Sequence, residues 1–114
     1  MAIATVNPAT EEVLARFDPL SDAEIEEKLG LAAEAFRSFR YTSFTERARL
    51  LLRVADVLEA EHEQLSRLIT TEMGKPIRSA MSEIEKCRRL CCYYAREAAH
   101  LLADEEIFSE AHKS

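Results

Sequence analysis

Two glycines and three prolines are all the backbone punctuation carried by 114 residues. No other feature constrains the fold as much. Tight strand reversals need residues that tolerate positive φ or pre-set a turn, so a chain this poor in both favours long helices over many short strands. The fold class that follows is mainly α, with any sheet confined to the stretch where turn residues do occur.

That stretch is N-terminal. Residues 2–6 (AIATV) are apolar and partly β-branched, which favours a strand. Asn7-Pro8-Ala9-Thr10 reads as a turn, because Pro8 fixes its own φ and pushes Asn7 towards extended geometry. Residues 12–18 read as a second strand, with Val13, Ala15 and Phe17 on one face and Leu14 and Arg16 on the other. Together residues 2–18 form a β-hairpin. Two strands alone are marginal in water, so this hairpin needs a partner surface.

Residues 21–105 read as three to four long amphipathic helices. Ser21 with Glu24 makes a capping box, and Asp22 favours the positive end of the helix dipole. Ile25, Leu29, Ala32, Ala33, Phe36 and Phe39 then recur at helical spacing. Gly30, inside that helix, is read as a close-packing position. Arg40-Tyr41-Thr42 is a connection, and Ser43 with Glu46 makes a second capping box. A helix from Thr45 to about Glu59 carries Ala48, Leu51, Leu52, Ala55 and Leu58. Glu61-His62-Glu63 is a polar step, either a bend or an exposed face. Leu65, Leu68, Ile69 and Met73 continue a stripe to Gly74, a left-handed stop. Pro76 is placed at the first helical position. The last helix carries Ile77, Ala80, Ile84, Cys87, Cys91 and Tyr94 along one stripe that continues to Leu101. The tail 106–114 has no clear period and is open to a strand, a linker or a frayed end. With no linker between, 1–114 is one partial domain.

Composition excludes several function classes. Fifteen Lys and Arg stand against twenty-one Asp and Glu, a net −6. An acidic body is a poor polyphosphate binder, so nucleic acid is not expected as a partner. No apolar run approaches the ~18 residues of a membrane span. The start MAIATVNPAT lacks the order of a secretory signal, and three cysteines are an odd count. A cytoplasmic location with reduced thiols is the expectation.

Candidate chemistry is sparse. Cys87 and Cys91, four residues apart on the apolar stripe, read as core cysteines, since free cysteine packs as a small hydrophobe. Cys92 falls off the stripe and reads as the more accessible thiol. With His100 they lack the paired spacing of a zinc site. His62, His100 and His112 are dispersed. The runs Glu59/Glu61/Glu63 and Asp104/Glu105/Glu106 read as solvated faces. No glycine-rich phosphate loop or nucleophile elbow is present. No catalytic, cofactor-binding or metal-binding residue is assigned.

The order of motifs nevertheless resembles the opening of aldehyde dehydrogenases. Asn7-Pro8-Ala9-Thr10 with Val13-Leu14 is similar to their "NPAT-GEVL". Ala35-Phe36 with Phe39, Ser43-Phe44-Thr45-Glu46-Arg47-Ala48, and Glu72-Met73-Gly74-Lys75-Pro76 resemble successive later motifs. Glu85-Lys86-Cys87 and Cys92-Tyr93-Tyr94-Ala95 are most similar to succinate-semialdehyde dehydrogenases and close relatives. The resemblance runs from Ala2 to about Glu105. It implies that the hairpin and helices belong to the coenzyme-binding domain of an α/β fold, wrapped around a sheet supplied by later sequence. It also implies oxidation of aldehydes with NAD or NADP by a cysteine nucleophile and a glutamate that lie downstream. Cys87, Cys91 and Cys92 match none of the nucleophile's motif. Glu11 stands where the family commonly has Gly, and a positive φ there strains it.

Two function classes follow. In the first, the chain is an N-terminal fragment of an NAD(P)-dependent aldehyde dehydrogenase, from a truncated reading frame or an isolated segment. It binds no coenzyme and is inactive alone. In the second, it is a helical interaction module that self-associates or docks onto dehydrogenase subunits. A thiol redox or metal sensor built on Cys87, Cys91 and Cys92 is a third reading, unsupported by any local motif.

Overall fold

Residues 3–107 are described by the structure, a computed structural model. Strands β1 (Ile3–Val6) and β2 (Val13–Phe17) pair antiparallel, with Ile3 opposite Phe17 and Val6 opposite Val13. The register shifts between Thr5 and Val6, so Leu14 is the extra residue of a bulge. The turn is closed by three bonds. The Asn7 N–H donates to the Glu12 carbonyl at 2.9 Å, the Glu11 N–H to the Asn7 carbonyl at 2.8 Å, and Asn7 Oδ1 accepts from the Ala9 N–H at 2.9 Å. Glu11 takes φ 61°, a left-handed conformation that a glycine, having no Cβ, would adopt without strain.

Four helices follow: α1 (Asp22–Phe39), α2 (Phe44–Ala60), α3 (His62–Met73) and α4 (Ile77–Leu101). Both capping boxes form, Ser21 with Glu24 and Ser43 with Glu46, each serine hydroxyl accepting from the N3 amide while the N3 carboxylate accepts from the cap amide. The polar step is a true break. Glu61 leaves helical geometry at φ −100°, ψ 12°, so α2 and α3 are separate helices. Gly74 ends α3 at φ 69°. Pro76 is one position earlier than read from the sequence. Its ψ of 135° is extended, which makes it the cap residue and Ile77 the first helical one.

The packed part is α2 and α3 against α4. Ala55 of α2, Ser66 of α3, and Ala80 and Ile84 of α4 are buried. Small side chains at the crossing let the backbones approach closely, and the Ser66 hydroxyl is satisfied by the His62 carbonyl at 2.6 Å. The hairpin rests on this bundle by its turn: a Cβ on Gly74 would lie 2.9 Å from Pro8 Cγ. Thr5 Oγ1 and Thr70 Oγ1 are shielded from solvent without a hydrogen-bond partner.

Helix α1 is different, because none of its residues is buried. The close-packing role read for Gly30 is overturned: no heavy atom lies within 4 Å of where its Cβ would be. The helix is held instead at its C-terminal elbow by Arg47. The guanidinium donates to Thr42 Oγ1 at 2.9 Å and to the carbonyls of Phe39 and Arg40 at 3.4 and 3.2 Å, the first of which also accepts from the Thr42 N–H and hydroxyl, and lies 5.3 Å from the Phe39 ring centroid. It thus serves carbonyls that a helix end leaves without intrahelical partners.

The dimensions describe an open body. The radius of gyration is 20.5 Å, whereas a closed domain of this length has about 13 Å. The chain exposes 10029 Å², about 3,700 Å² more than a compact protein of 12.9 kDa. Among the described residues no helix is long and apolar enough to cross a membrane.

Candidate functional site

The cysteines are the natural starting point for chemistry, and the structure corrects their reading. Cys87 is exposed, while Cys91 and Cys92 are half-buried and all three are free. The physical reason lies in the shape of α4. At about 100° per residue, its apolar residues cover two adjoining flanks. One flank, with Ala80, Ile84 and Cys91, faces α2 and α3. The other, with Cys87, Leu90, Tyr94 and Leu101, is largely uncovered: its last three residues are 43–54% exposed, and Tyr94 borders a hollow shared with Phe44 and Leu51 of α2. Periodicity joined both flanks into one stripe and put Cys87 in a core that covers only half of it.

The other candidates stay apart. His62 Nε2 lies 3.1 Å from the Met81 carbonyl and ties α3 to α4. His100 is exposed near the end of α4, and His112 lies outside the described residues. Glu59, Glu61, Glu63 and Asp104–Glu106 are exposed. Among the described residues, no three His, Cys, Asp or Glu side chains converge as metal ligands do. The strongest local electrostatics are structural. Arg88 grips Glu85 with two bonds of 2.9 and 3.0 Å, which lowers the Glu85 pKa and raises that of Arg88.

Among the described residues, four open hollows border α4, and two are the largest. One, of about 660 Å³, is lined by Lys75, Arg78, Lys86 and Cys87 among others. Lys75 is held there in an ion pair with Glu83. The second, of about 780 Å³, lies between α3 and α4 and is lined by His62, Ser66, Thr70, Ile77 and Met81 among others. Neither joins a nucleophile to a base within hydrogen-bond reach. What the described residues offer is surface for packing. Ile3 and Phe17 on the hairpin are 56% and 51% exposed, and Leu29 and Phe36 on α1 are 59% and 58% exposed.

Comparison with known proteins assigns the chain to a family. The sequence model of the "Aldehyde dehydrogenase family" matches residues 1–114. The chain belongs to the aldehyde dehydrogenase family. It is 43% identical over 114 residues to the probable succinate-semialdehyde dehydrogenase [NADP(+)] of Synechocystis, and 46% identical over 105 residues to the Mycobacterium leprae succinate-semialdehyde dehydrogenase [NADP(+)]. These alignments cover 100% and 92% of the chain, but 25% and 23% of the relatives. The fold likewise matches the crystal structure of an aldehyde dehydrogenase from Brucella melitensis, with a TM-score of 0.87 at 27% identity, over 97% of this chain and 23% of that one. The chain therefore spans about a quarter of the length of the relatives it matches.

A dinucleotide coenzyme is implied by the family, and the described residues do not fit one. Its pyrophosphate is normally met by a glycine-rich turn between a strand and a helix. The only sheet among the described residues is an antiparallel hairpin. Gly30 lies in mid-helix, and the space beside Gly74 is filled by Pro8. Neither glycine stands in a turn between a strand and a helix.

The elbow residue Arg47 escaped the sequence reading. Its position in the first turn after Ser43 was visible, but carbonyls seven and eight residues upstream become its partners only through the angle between α1 and α2.

Proposed function

We propose that this chain is the scaffold-forming N-terminal part of an NADP-dependent succinate-semialdehyde dehydrogenase, without oxidoreductase activity by itself. One observation carries the reading: 43% identity to a relative of that name extends over 100% of the chain. The open architecture supports the scaffold role. About 3,700 Å² of surface beyond that of a compact body is several times what one partner contributes to a standard interface, ~800 Å². A surface of that size suits a shell over further layers of a domain better than one docking patch. The absence of an assigned nucleophile or coenzyme loop supports inactivity, and the free cysteines support a cytoplasmic location.

The test is complementation. The chain is purified alone and also co-expressed with the Synechocystis relative from which the matching quarter has been removed. NADPH formation from succinic semialdehyde is then followed. The expected result is no turnover by the chain, none by the trimmed relative, and turnover by the pair. Turnover by the chain alone refutes the inactivity, and a stable pair without turnover refutes the assignment to this enzyme.

A further inference from the structure

The two bare stripes of the chain share a spacing. On α1, Ile25, Leu29, Ala32, Phe36 and Phe39 follow steps of four, three, four and three. On α4, Cys87, Leu90, Tyr94, Glu97 and Leu101 follow steps of three, four, three and four. Alternating threes and fours are the 3.5-residue period that seats the side chains of one helix between those of another. Each stripe spans four turns, about 21 Å. Both are largely exposed, with Leu29 and Phe36 at 59% and 58%, and Leu90 and Tyr94 at 43% and 49%, while Glu97 is half-buried.

The helices are also opposite in charge. Helix α1 carries five carboxylates against Lys28 and Arg37, a net −3. Helix α4 carries five Lys and Arg against Glu83, Glu85 and Glu97, a net +2. Within one chain α1 does not bury a residue on anything, and the Arg47 clasp fixes its elbow.

We propose that, in the isolated chain, the α1 stripe of one copy docks on the bare α4 flank of a second copy, reciprocally and antiparallel. Antiparallel pairing sets Phe39 beside Cys87 and Ile25 beside Leu101. It also opposes Leu29 to Glu97, the one charged position of the α4 stripe, with Lys28 adjacent to neutralise it. The reciprocal pair has the two-fold symmetry of the commonest homodimers. The chain as a whole exposes about 3,700 Å² beyond a compact body, against the ~800 Å² that each partner of a standard dimer contributes. This inference concerns the chain by itself and does not depend on which aldehyde the family reading assigns.

Light scattering at about 100 μM is expected to give twice the chain's 12.9 kDa. Leu29→Asp and Leu90→Asp, both at exposed positions, each weaken the dimer about tenfold or more without loss of helical circular dichroism. High salt weakens it too, because the helix charges are screened. The decisive measurement is a cross-link. With Cys91 and Cys92 replaced by Ser, Ser38→Cys joins Cys87 of the second copy through a short bismaleimide, and Ala23→Cys does not. Cys87→Ser abolishes the cross-linked dimer. A monomer at about 100 μM overturns the proposal. So does a Ser38–Cys87 link within one chain, or a dimer linked through Ala23→Cys. A chain that stays monomeric yet binds the trimmed relative also refutes the second copy as occupant, while leaving the family reading intact.

Discussion

Gly74 joins two elements that are far apart in sequence, and replacing it with alanine separates two physical costs. The residue holds φ 69°, where an L side chain costs about 1–2 kcal/mol. A Cβ there would also sit 2.9 Å from Pro8 Cγ, closer than carbon atoms approach. Pro8 is a rigid ring on the hairpin turn, so relief requires the hairpin to move off the α3–α4 corner. Overpacking of this kind costs about 1–3 kcal/mol. Gly74→Ala is therefore expected to lower unfolding stability by about 2–5 kcal/mol. In a Pro8→Ala background only the backbone part remains, about 1–2 kcal/mol. Urea unfolding of the four chains, followed by circular dichroism, measures the cycle. An equal loss in both backgrounds refutes the contact between Gly74 and Pro8. A negligible loss in the Pro8→Ala background refutes the left-handed strain.

Four further outcomes are expected. Glu11→Gly removes the left-handed penalty at φ 61° and stabilises the hairpin by about 0.5–1 kcal/mol, read as a higher urea midpoint. Gly30→Ala meets no atom within 4 Å and stabilises α1 by about 1 kcal/mol, read in the helical signal on melting. Arg47→Ala speeds amide exchange at Tyr41 and Thr42, and Arg47→Lys restores only part of the protection because it lacks the planar fork. Hydrogen bonds from Ser21 and Ser43 lower the pKa values of Glu24 and Glu46 below 4.5 in the folded chain. Their stabilisation is present above the unfolded value and is lost as pH falls through the folded ones. The urea midpoint therefore drops as pH falls below the ordinary glutamate range, and less so in the Ser21→Ala/Ser43→Ala chain.

Features set by neighbours in sequence were legible in the amino acids. Both capping boxes need only a serine and a glutamate three residues apart, and both form as read. Gly74 was legible for a similar reason, since backbone conformation at a helix end depends on local chemistry, whereas the positive φ of Glu11 was signalled only by the resemblance to a family that commonly has Gly there. Reading failed where the answer depended on what lies across from a helix. Gly30 was read as a packing position, yet it faces open space because α1 has no neighbour along its length. Cys87 shares a helical stripe with Ile84 and Cys91, but period alone does not say how wide an arc a second helix covers. Pro76 differs by one residue, because a proline with extended ψ satisfies a cap as readily as a first turn.

The bare flank of α4 links these failures to function. A surface helix of a finished domain carries one apolar face and one polar face. Helix α4 instead carries two adjoining apolar flanks, one covered by α2 and α3 and one open. Residues of the open flank, such as Leu90 and Leu101, gain nothing from exposure, whereas each apolar side chain fully covered contributes about 1.5–3 kcal/mol. A helix with this cross-section suits the middle of a layered domain, with neighbours on two sides. The same holds for the hairpin, whose Val13 and Leu14 are adjacent in the strand and still 42% and 40% exposed. The relatives extend over about four times the length of this chain, which is the material such a second layer would require.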